Sequence, residues 1–242
     1  MPNGDSEMSK PADSGLAIGA AVALAATASL ATKTAHAAAP KLLVFLHVAV
    51  KQRALQSALQ GGLPGTEVTA VGRVGDFERA LKAGTDAVLA SLPVLSSFRL
   101  RVQLQGSRAG ASDEKYALIG VSAEPNPAKV ASVGALDLLG RDGTNTFVYG
   151  LLGAAPRVER VSKVEDLLPL LQMQRVDAIL LPSRLFAEVR SASKLLLVST
   201  ELRKTVGLPA VATVTPSGDA VAASVGRIPI ALAKMLGVDS WR

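Results

Sequence analysis

Two short stretches decide the fold class: residues 86–93 read DAVLASLP, and residues 177–182 read DAILLP. Each follows an amphipathic segment, 77–82 in the first case and 164–173 in the second. A short apolar run bounded by Asp and Pro is typical of a strand that is buried on both faces of a parallel sheet. The repetition predicts two α/β lobes of similar build, although the same pattern is also common in unrelated α/β proteins.

In the first half of the chain, apolar runs predict strands and amphipathic runs predict helices. The predicted strands are 41–50, 66–71 and 86–92, and the predicted helices are 51–60 and 77–83. Short links between these segments require a mainly parallel sheet with helices on its faces. The segment 99–105 alternates apolar and polar residues, which predicts a strand with one exposed face. The segment 116–122 is predicted to be another strand, and the two are expected to form an antiparallel ribbon.

The second half alternates helix and strand patterns again. A Pro-rich break at 124–127 is the predicted first crossing between the lobes, and 128–136 is predicted to be helical. The predicted return crossing is 206–214, and a last helix at 220–236 should break at Pro229. The predicted fold is therefore a two-lobed α/β clamshell, each lobe a mainly parallel sheet flanked by helices. The predicted bounds are 38–124 with 207–242 for lobe 1, and 125–206 for lobe 2.

The first 37 residues have the pattern of a secretory signal peptide. A short run of apolar and small residues at 16–30 is followed by A-x-A strings at 35–39. Cleavage is expected after Ala37 or Ala39, which predicts a periplasmic or secreted protein. An uncleaved N-terminal membrane anchor and a low-complexity leader are the alternatives, although the run is shorter than the roughly 20 residues a spanning helix needs. Contact with a membrane is expected only through this segment.

The composition narrows the function classes. There is no Cys, and the two His residues are His36 and His47, so disulfides and typical zinc sites are not expected. The net charge is +6 and 3% of residues are aromatic, but no basic run is interleaved with aromatics, which argues against a nucleic-acid partner. No phosphate-loop, dinucleotide or nucleophile-elbow motif is present. We expect no cofactor, no metal and no enzymatic activity, although paired carboxylates in a cleft would still allow catalysis.

Candidate binding residues follow from the ends of the predicted strands, because ligands of open parallel sheets bind beyond the carboxyl ends of their strands. These residues are His47, Arg73, Ser91, Ser183 and Arg184. Arginine side chains suit an oxyanion because of their fork geometry. Ordinary roles remain open for each residue: a buried hydrogen-bonded His, solvated surface Arg residues, and turn or cap Ser residues.

The stretch 140–146 is a second candidate, because it is small and polar and precedes an apolar run that looks helical. Free N–H groups at a helix start, with hydroxyl and amide side chains, suit a carboxylate or phosphoryl group. The candidate residues are Arg141, Gly143, Thr144, Asn145 and Thr146. The alternative is an ordinary helix cap, and Asp142 would compete with an anion for the same donors.

In these features the chain resembles the periplasmic substrate-binding proteins of ABC transporters, with a type 2 fold and nearest to the phosphate/phosphonate branch. The residues that carry the resemblance are the leader, the strand directly after it, GTDAVLA at 84–90, and VEDLLPLLQMQRVDAILLP at 164–182. The resemblance implies a cleft between the lobes that holds ligand at Ser91, Gly143, Thr144, Asn145, Thr146 and Ser183. The Ser/Thr-rich loop of that branch is replaced here by LHVAV at 46–50.

The leading hypothesis is thus an exported solute-binding protein that holds a small, anionic, phosphate- or phosphonate-like ligand between its lobes and presents it to an ABC permease. Two alternatives remain at this stage. One is a binding-protein-like module with a vestigial cleft that acts in protein–protein contact or sensing. The other is a small α/β enzyme.

Overall fold

The computed structural model describes residues 38–48 and 50–242, and these form one compact unit from Ala38 to the C-terminus. The predicted leader at 1–37 lies outside the described residues. Within the described part, no helix combines the length and apolar character needed to cross a membrane. The strands of this part form two separate sheets, one for each lobe.

The first sheet has six strands in the order β11-β4-β10-β3-β1-β2. Strands β1, β2 and β3 are parallel, whereas β10 inserts between β3 and β4 and is antiparallel to both. The bounds are β1 Lys41–Phe45, β2 Glu67–Ala70, β3 Ala87–Ser91, β4 Arg101–Ser107, β10 Pro209–Thr213 and β11 Ser240–Trp241.

The second sheet has five strands in the order β7-β6-β8-β5-β9. Strands β6, β7 and β8 are parallel, and β5 is antiparallel to its neighbours β8 and β9. The bounds are β5 Asp113–Val121, β6 Ser132–Leu136, β7 Arg157–Val161, β8 Ala178–Pro182 and β9 Leu197–Gly207.

The helices connect these strands and cover the sheets. Their bounds are α1 Gln52–Gly62, α2 Val74–Ala83, α3 Leu92–Ser97, α4 Gly140–Leu152, α5 Leu167–Gln172, α6 Phe186–Ser191, α7 Ser217–Val225 and α8 Ile230–Met235. Short 3-10 turns at Val164–Asp166 and Ser183–Leu185 lead into α5 and α6. Pro169 lies in the first turn of α5, where its missing N–H costs no helical hydrogen bond.

The two sheets have the same plan, which confirms the predicted α/β clamshell of two similar lobes. In each, the order β2-β1-β3-β10-β4 or β7-β6-β8-β5-β9 contains three parallel strands, then a strand antiparallel to them, then a fifth strand antiparallel to the fourth. Strands β3 and β8 hold matching positions and contain the two repeated stretches. Both strands are almost completely buried, as expected for the middle of a sheet covered on both faces.

One buried apolar cluster contains side chains of both lobes. It joins Phe45, Phe77 and Val94 of the first lobe with Leu136 and Leu138 of the second. Each sheet also packs a separate cluster on its own helices. Apolar contact therefore holds the lobes together in the conformation described.

The first crossing lies earlier in the chain than predicted. Strand β5 pairs with β8 and β9 of the second sheet, so the chain leaves the first sheet at 108–112 rather than at 124–127. Strand β4 pairs with β10 and β11, and the predicted ribbon of β4 with β5 is absent. The predicted pattern was correct for each strand but could not identify its partner.

The predicted helix at 128–136 is wrong, because residues 132–136 form β6. All five residues of β6 are buried between β7 and β8. A Cβ at Gly134 would lie 2.9 Å from Leu170 Cδ1. Glycine is therefore needed at this position because α5 packs directly against it, although glycine is not typical of a strand. The predicted break at Pro229 is confirmed, since α7 ends at Val225 and α8 begins at Ile230.

Candidate functional site between the two lobes

A small cavity lies where the strand ends of the two lobes meet, and we call it the central cavity. The first lobe contributes His47 and Ser91, and the second contributes Leu136, Leu138 and Pro182, with further residues from both. Its volume is about 30 Å³, which is enough for one or two water molecules but not for a solute. The lobes are therefore closed on each other at the centre.

Three of the residues predicted from strand ends have buried polar atoms with no hydrogen-bond partner among residues 38–48 and 50–242. These atoms are His47 Nε2, Ser91 Oγ and Ser183 Oγ. His47 follows β1, Ser91 ends β3, and Ser183 follows β8. Buried polar atoms are nearly always paired with protein or water, so this concentration at the predicted strand ends identifies groups available to a ligand or to ordered water.

His47 is uncharged at neutral pH. Burial lowers the pKa of its imidazole from 6.5 to about 4, against the opposing effect of the Asp137 carboxylate. The ring packs edge-on against Phe45 with 5.0 Å between centroids. A neutral imidazole at this position offers a hydrogen bond to a polar group rather than a charge to an anion.

Arg184 is not free to act as the predicted anion ligand of the central cavity. Its Nε donates to Oε2 of Glu114 at 2.8 Å, and both side chains are 15% exposed. Burial raises the pKa of Glu114, and the nearby Arg184 charge opposes that shift. The ion pair therefore neutralises most of the charge that Arg184 would bring to a solute.

The polar stretch at 140–146 is not a loop, because α4 begins at Gly140. Thr144 is fully buried; its hydroxyl donates to Asp137 Oδ1 and accepts from the Leu139 N–H, both at 3.1 Å. Gly143 packs so closely that a Cβ there would lie 2.5 Å from Leu139 Cβ. The Thr146 hydroxyl donates to the Asp142 carbonyl.

These contacts give Gly143, Thr144 and Thr146 local structural roles at the start of α4. The remaining candidates, Arg141 and Asn145, are exposed on the same helix. The carboxylate of Asp137 lies beside Thr144 and accepts from Arg160 Nη1 at 2.9 Å. An acidic side chain of the protein thus lies where an anionic ligand was predicted.

Beside the central cavity, an open gap of about 410 Å³ separates the start of α2 from the ends of β6 and β7, and we call it the Arg73 gap. Among its charged residues, Arg79 pairs with Asp76, and Arg160 pairs with Asp137. Arg73 is exposed and has no ion-pair partner among the described residues. The gap therefore contains one uncompensated positive charge.

A second gap of about 330 Å³ opens between the β1–α1 region and the residues after β7, and we call it the Lys163 gap. It shares His47 with the central cavity and Ser162 with the Arg73 gap. Gln52 donates from Nε2 to the Leu46 carbonyl, while its Oε1 is buried without a partner. The charged residues of this gap are Lys51, Arg53, Lys163 and Glu165.

Several site residues were missed from the sequence. Asp137 directly follows β6, which was predicted to be a helix, so it was not recognised as a strand-end residue. Glu114 and Arg184 are far apart in sequence, and the first crossing had been placed after Glu114. Gln52 was assigned to a helix face, and only its position beside the β1 end brings it to the gap.

Comparison with known proteins gives a consistent fold. No family model and no curated protein matches this chain. Among solved structures, XAC2383 from Xanthomonas citri bound to ATP is 10% identical, with a TM-score of 0.59 over 84% of this chain and 90% of that one. The BvgS VFT2 domain of Bordetella pertussis is 14% identical, with a TM-score of 0.54 over 82% and 91%. The substrate-binding protein of an amino acid ABC transporter is 14% identical, with a TM-score of 0.54 over 81% and 96%.

At these identities the likeness is one of fold. Together with the two sheets of matching plan, it assigns the chain the two-lobed α/β fold of periplasmic substrate-binding proteins, of type 2. The solved structures named above do not single out the phosphate/phosphonate branch to which the sequence was compared.

Proposed function

We propose that this chain is an exported clamshell binding protein that holds a small anionic solute between its lobes and delivers it to an ABC permease. The observation that carries the proposal is the pair of unpartnered polar atoms, His47 Nε2 and Ser91 Oγ, that are buried beside the central cavity. Unpaired buried groups cost stability unless something binds them. Binding sites tolerate that cost because the solute supplies the missing partners.

The charges around the two gaps favour an anionic solute. The residues without an ion-pair partner among the described residues are Arg73 in one gap and Lys51, Arg53 and Lys163 in the other. Glu165 is the acidic residue that lines the Lys163 gap. Such a surplus of positive charge attracts anions and raises their rate of association. Arg73 is the sequence-predicted cation that this proposal retains.

Because His47 is neutral, we propose a solute with one anionic part and one uncharged part. The depressed pKa of His47 means that the imidazole contributes no positive charge at neutral pH. We therefore place the anionic group of the solute at the Arg73 and Lys163 gaps, and an uncharged hydrogen-bonding group against His47 and Gln52. A phosphonate, a phosphate ester or a substituted carboxylate has this division, whereas inorganic phosphate does not.

Solute entry requires the lobes to separate. The central cavity of about 30 Å³ is too small for a solute, so the conformation described is closed. Hinged opening about the two crossings is the usual motion of this architecture. Export and delivery to a permease rest on the predicted leader and on the fold shared with an ABC-transporter binding protein.

The test is a thermal-shift and calorimetric screen of the full chain against phosphate, phosphonates, amino acids, carboxylates and nucleotides. A solute at about 100-fold its dissociation constant stabilises by about 2.7 kcal/mol. We expect stabilisation by at least one anionic solute and no response to uncharged analogues. Absence of any response across the panel would contradict the proposal.

A second candidate, a vestigial cleft used for protein contact or sensing, is favoured by a different observation. The apolar cluster that joins Phe45 and Val94 to Leu136 and Leu138 fills the interface between the lobes. A lobe interface of that kind would keep the clamshell closed without solute. Small-angle scattering of the free protein separates the two cases: a compact particle that no solute alters supports the vestigial cleft, and an expanded free form supports solute binding.

A further inference from the structure

A cavity of about 510 Å³ lies where the C-terminal segment meets the second lobe, beside Arg184 and Leu185, which follow β8. We call it the hinge cavity. Its walls are Arg108 and Ala109 of the first crossing, Arg184 and Leu185 of the second lobe, and Lys234 with 237–239 of the first lobe. Residues of both lobes and of a crossing thus surround one space, which lies outside the Arg73 and Lys163 gaps.

The hinge cavity has an excess of positive charge. Arg108, Arg184 and Lys234 line it, and Asp239 is the acidic residue in its wall. Glu114 offsets the charge of Arg184, so the excess comes from Arg108 and Lys234. The Asp239 carboxylate accepts the Ala109 N–H at 3.0 Å, which fixes the crossing to the C-terminal segment. Among the described residues, neither Arg108 nor Lys234 has an ion-pair partner. Cations that share a cavity without counter-charge repel one another.

Arg184 supplies the second line of evidence. A guanidinium has five N–H donors, and among the described residues the structure pairs only its Nε, with Glu114. The side chain is 15% exposed and lines the hinge cavity. Gly237, with φ of +84°, brings the backbone so close that a Cβ would lie 3.2 Å from Arg184 Cζ. The guanidinium is thus held in place between the lobes, and its terminal amino groups have no hydrogen-bond partner among the described residues.

We propose that the hinge cavity binds a small polyanion, with carboxylate or phosphoryl oxygens. One oxyanion group accepts from the terminal amino groups of Arg184, and a second lies between Arg108 and Lys234. A volume of about 510 Å³ exceeds the needs of one tetrahedral anion and suits a molecule with two or three anionic groups. Because Arg184 and Lys234 belong to different lobes, the bound anion links the lobes.

The experiment is calorimetric titration of the full chain with pyrophosphate and with citrate, in a buffer free of phosphate. These probes separate the two sources of the chemistry, phosphoryl and carboxylate. We expect Arg108→Ala and Lys234→Ala each to weaken binding about tenfold, the typical effect of losing one charge-assisted hydrogen bond. Both side chains are exposed, so both variants should fold.

Two further variants make the titration specific. Arg227→Ala removes an exposed cation that follows α7 and does not line the cavity, and it should leave the affinity unchanged. Arg73→Ala should also leave it unchanged. Failure of both probes to bind, equal weakening by Arg227→Ala, or loss of binding in Arg73→Ala would each overturn the proposal. The last outcome would assign the polyanion to the Arg73 gap and leave the proposed function intact.

Discussion

Asp86 and Asp177 make equivalent hydrogen bonds in the two lobes. Each carboxylate accepts a hydrogen bond of 2.8 Å from the backbone N–H of the first residue of the neighbouring strand. For Asp86 that residue is Lys41, and for Asp177 it is Ser132. The backbone N–H of each Asp donates in return to the carbonyl of the same residue. The repeated Asp of the sequence therefore closes the start of the central parallel pair in each lobe.

The first prediction concerns these carboxylates. Asp177→Ala leaves the N–H groups of Ala131 and Ser132 without their acceptor and should lower the free energy of unfolding by about 1–2 kcal/mol. Asp86→Ala should act similarly, and the double variant should be additive because the sites are in different lobes. Urea denaturation measures the effect. Glu124→Ala, an exposed carboxylate, is the control and should change stability by less than about 0.5 kcal/mol.

The second prediction concerns pH. Hydrogen bonds from Thr215 and from the Lys41 backbone lower the pKa of Asp86. A lowered carboxyl pKa stabilises the fold above the unfolded-state pKa, and that stabilisation is lost as the pH falls through the folded-state pKa. The wild-type protein should therefore lose more stability than Asp86→Ala below about pH 4. Parallel curves for the two proteins would contradict this assignment.

His47 predicts a separate effect at higher pH. Its folded-state pKa of about 4 lies below the unfolded value of 6.5, so the unfolded chain binds a proton first as the pH falls. Stability should decrease by about 2 kcal/mol between pH 7.5 and pH 5. His47→Asn should flatten the curve in this range. A curve that keeps its slope in the variant would show that another group is responsible.

The half-buried Glu114–Arg184 pair gives a fourth test. Arg184→Ala leaves Glu114 buried without its counter-charge and should destabilise by about 3 kcal/mol. Adding Glu114→Gln to Arg184→Ala should restore most of that loss, because no unpaired charge then remains. A double-mutant cycle from denaturation curves measures the coupling. Additive effects of the two substitutions would mean that the pair does not interact in solution.

Ser91 allows stability and binding to be separated. Its hydroxyl is buried without a partner, so Ser91→Ala should raise the stability of the solute-free protein by about 1 kcal/mol. The same variant should bind the solute found in the screen more weakly. Ser224→Ala is the matched control, because that hydroxyl already donates to the Ala220 carbonyl in α7. A destabilised Ser91→Ala would show that ordered water satisfies the hydroxyl.

The strand ends were the most predictable part of the site. Strands β1, β3 and β8 are apolar runs, and their buried positions in the sheets follow from that pattern. The end of each run therefore identified His47, Ser91 and Ser183. Strand β6 was not predicted, because its Ala, Gly and Ser residues resemble a weak helix. In the structure, Gly134 of this strand allows close packing against α5.

The hydrogen-bond partners of the polar side chains could not be predicted. Thr144 and Arg184 have the side chains that an anion site needs, but Asp137 and Glu114 bind them first. Such pairings depend on which strands are neighbours. That information comes from long-range packing, and a pattern read along the chain does not contain it.

The inserted strand β10 has a consequence for folding during synthesis. The first sheet needs residues 209–213 between β3 and β4, whereas every strand of the second sheet precedes residue 208. A nascent chain that emerges from its N-terminus can therefore complete the later lobe while the earlier one still waits for its last central strand. Until then, the edges of β3 and β4 are open to wrong pairing. The insertion of β10 is therefore the folding step that completes the centre of the first sheet.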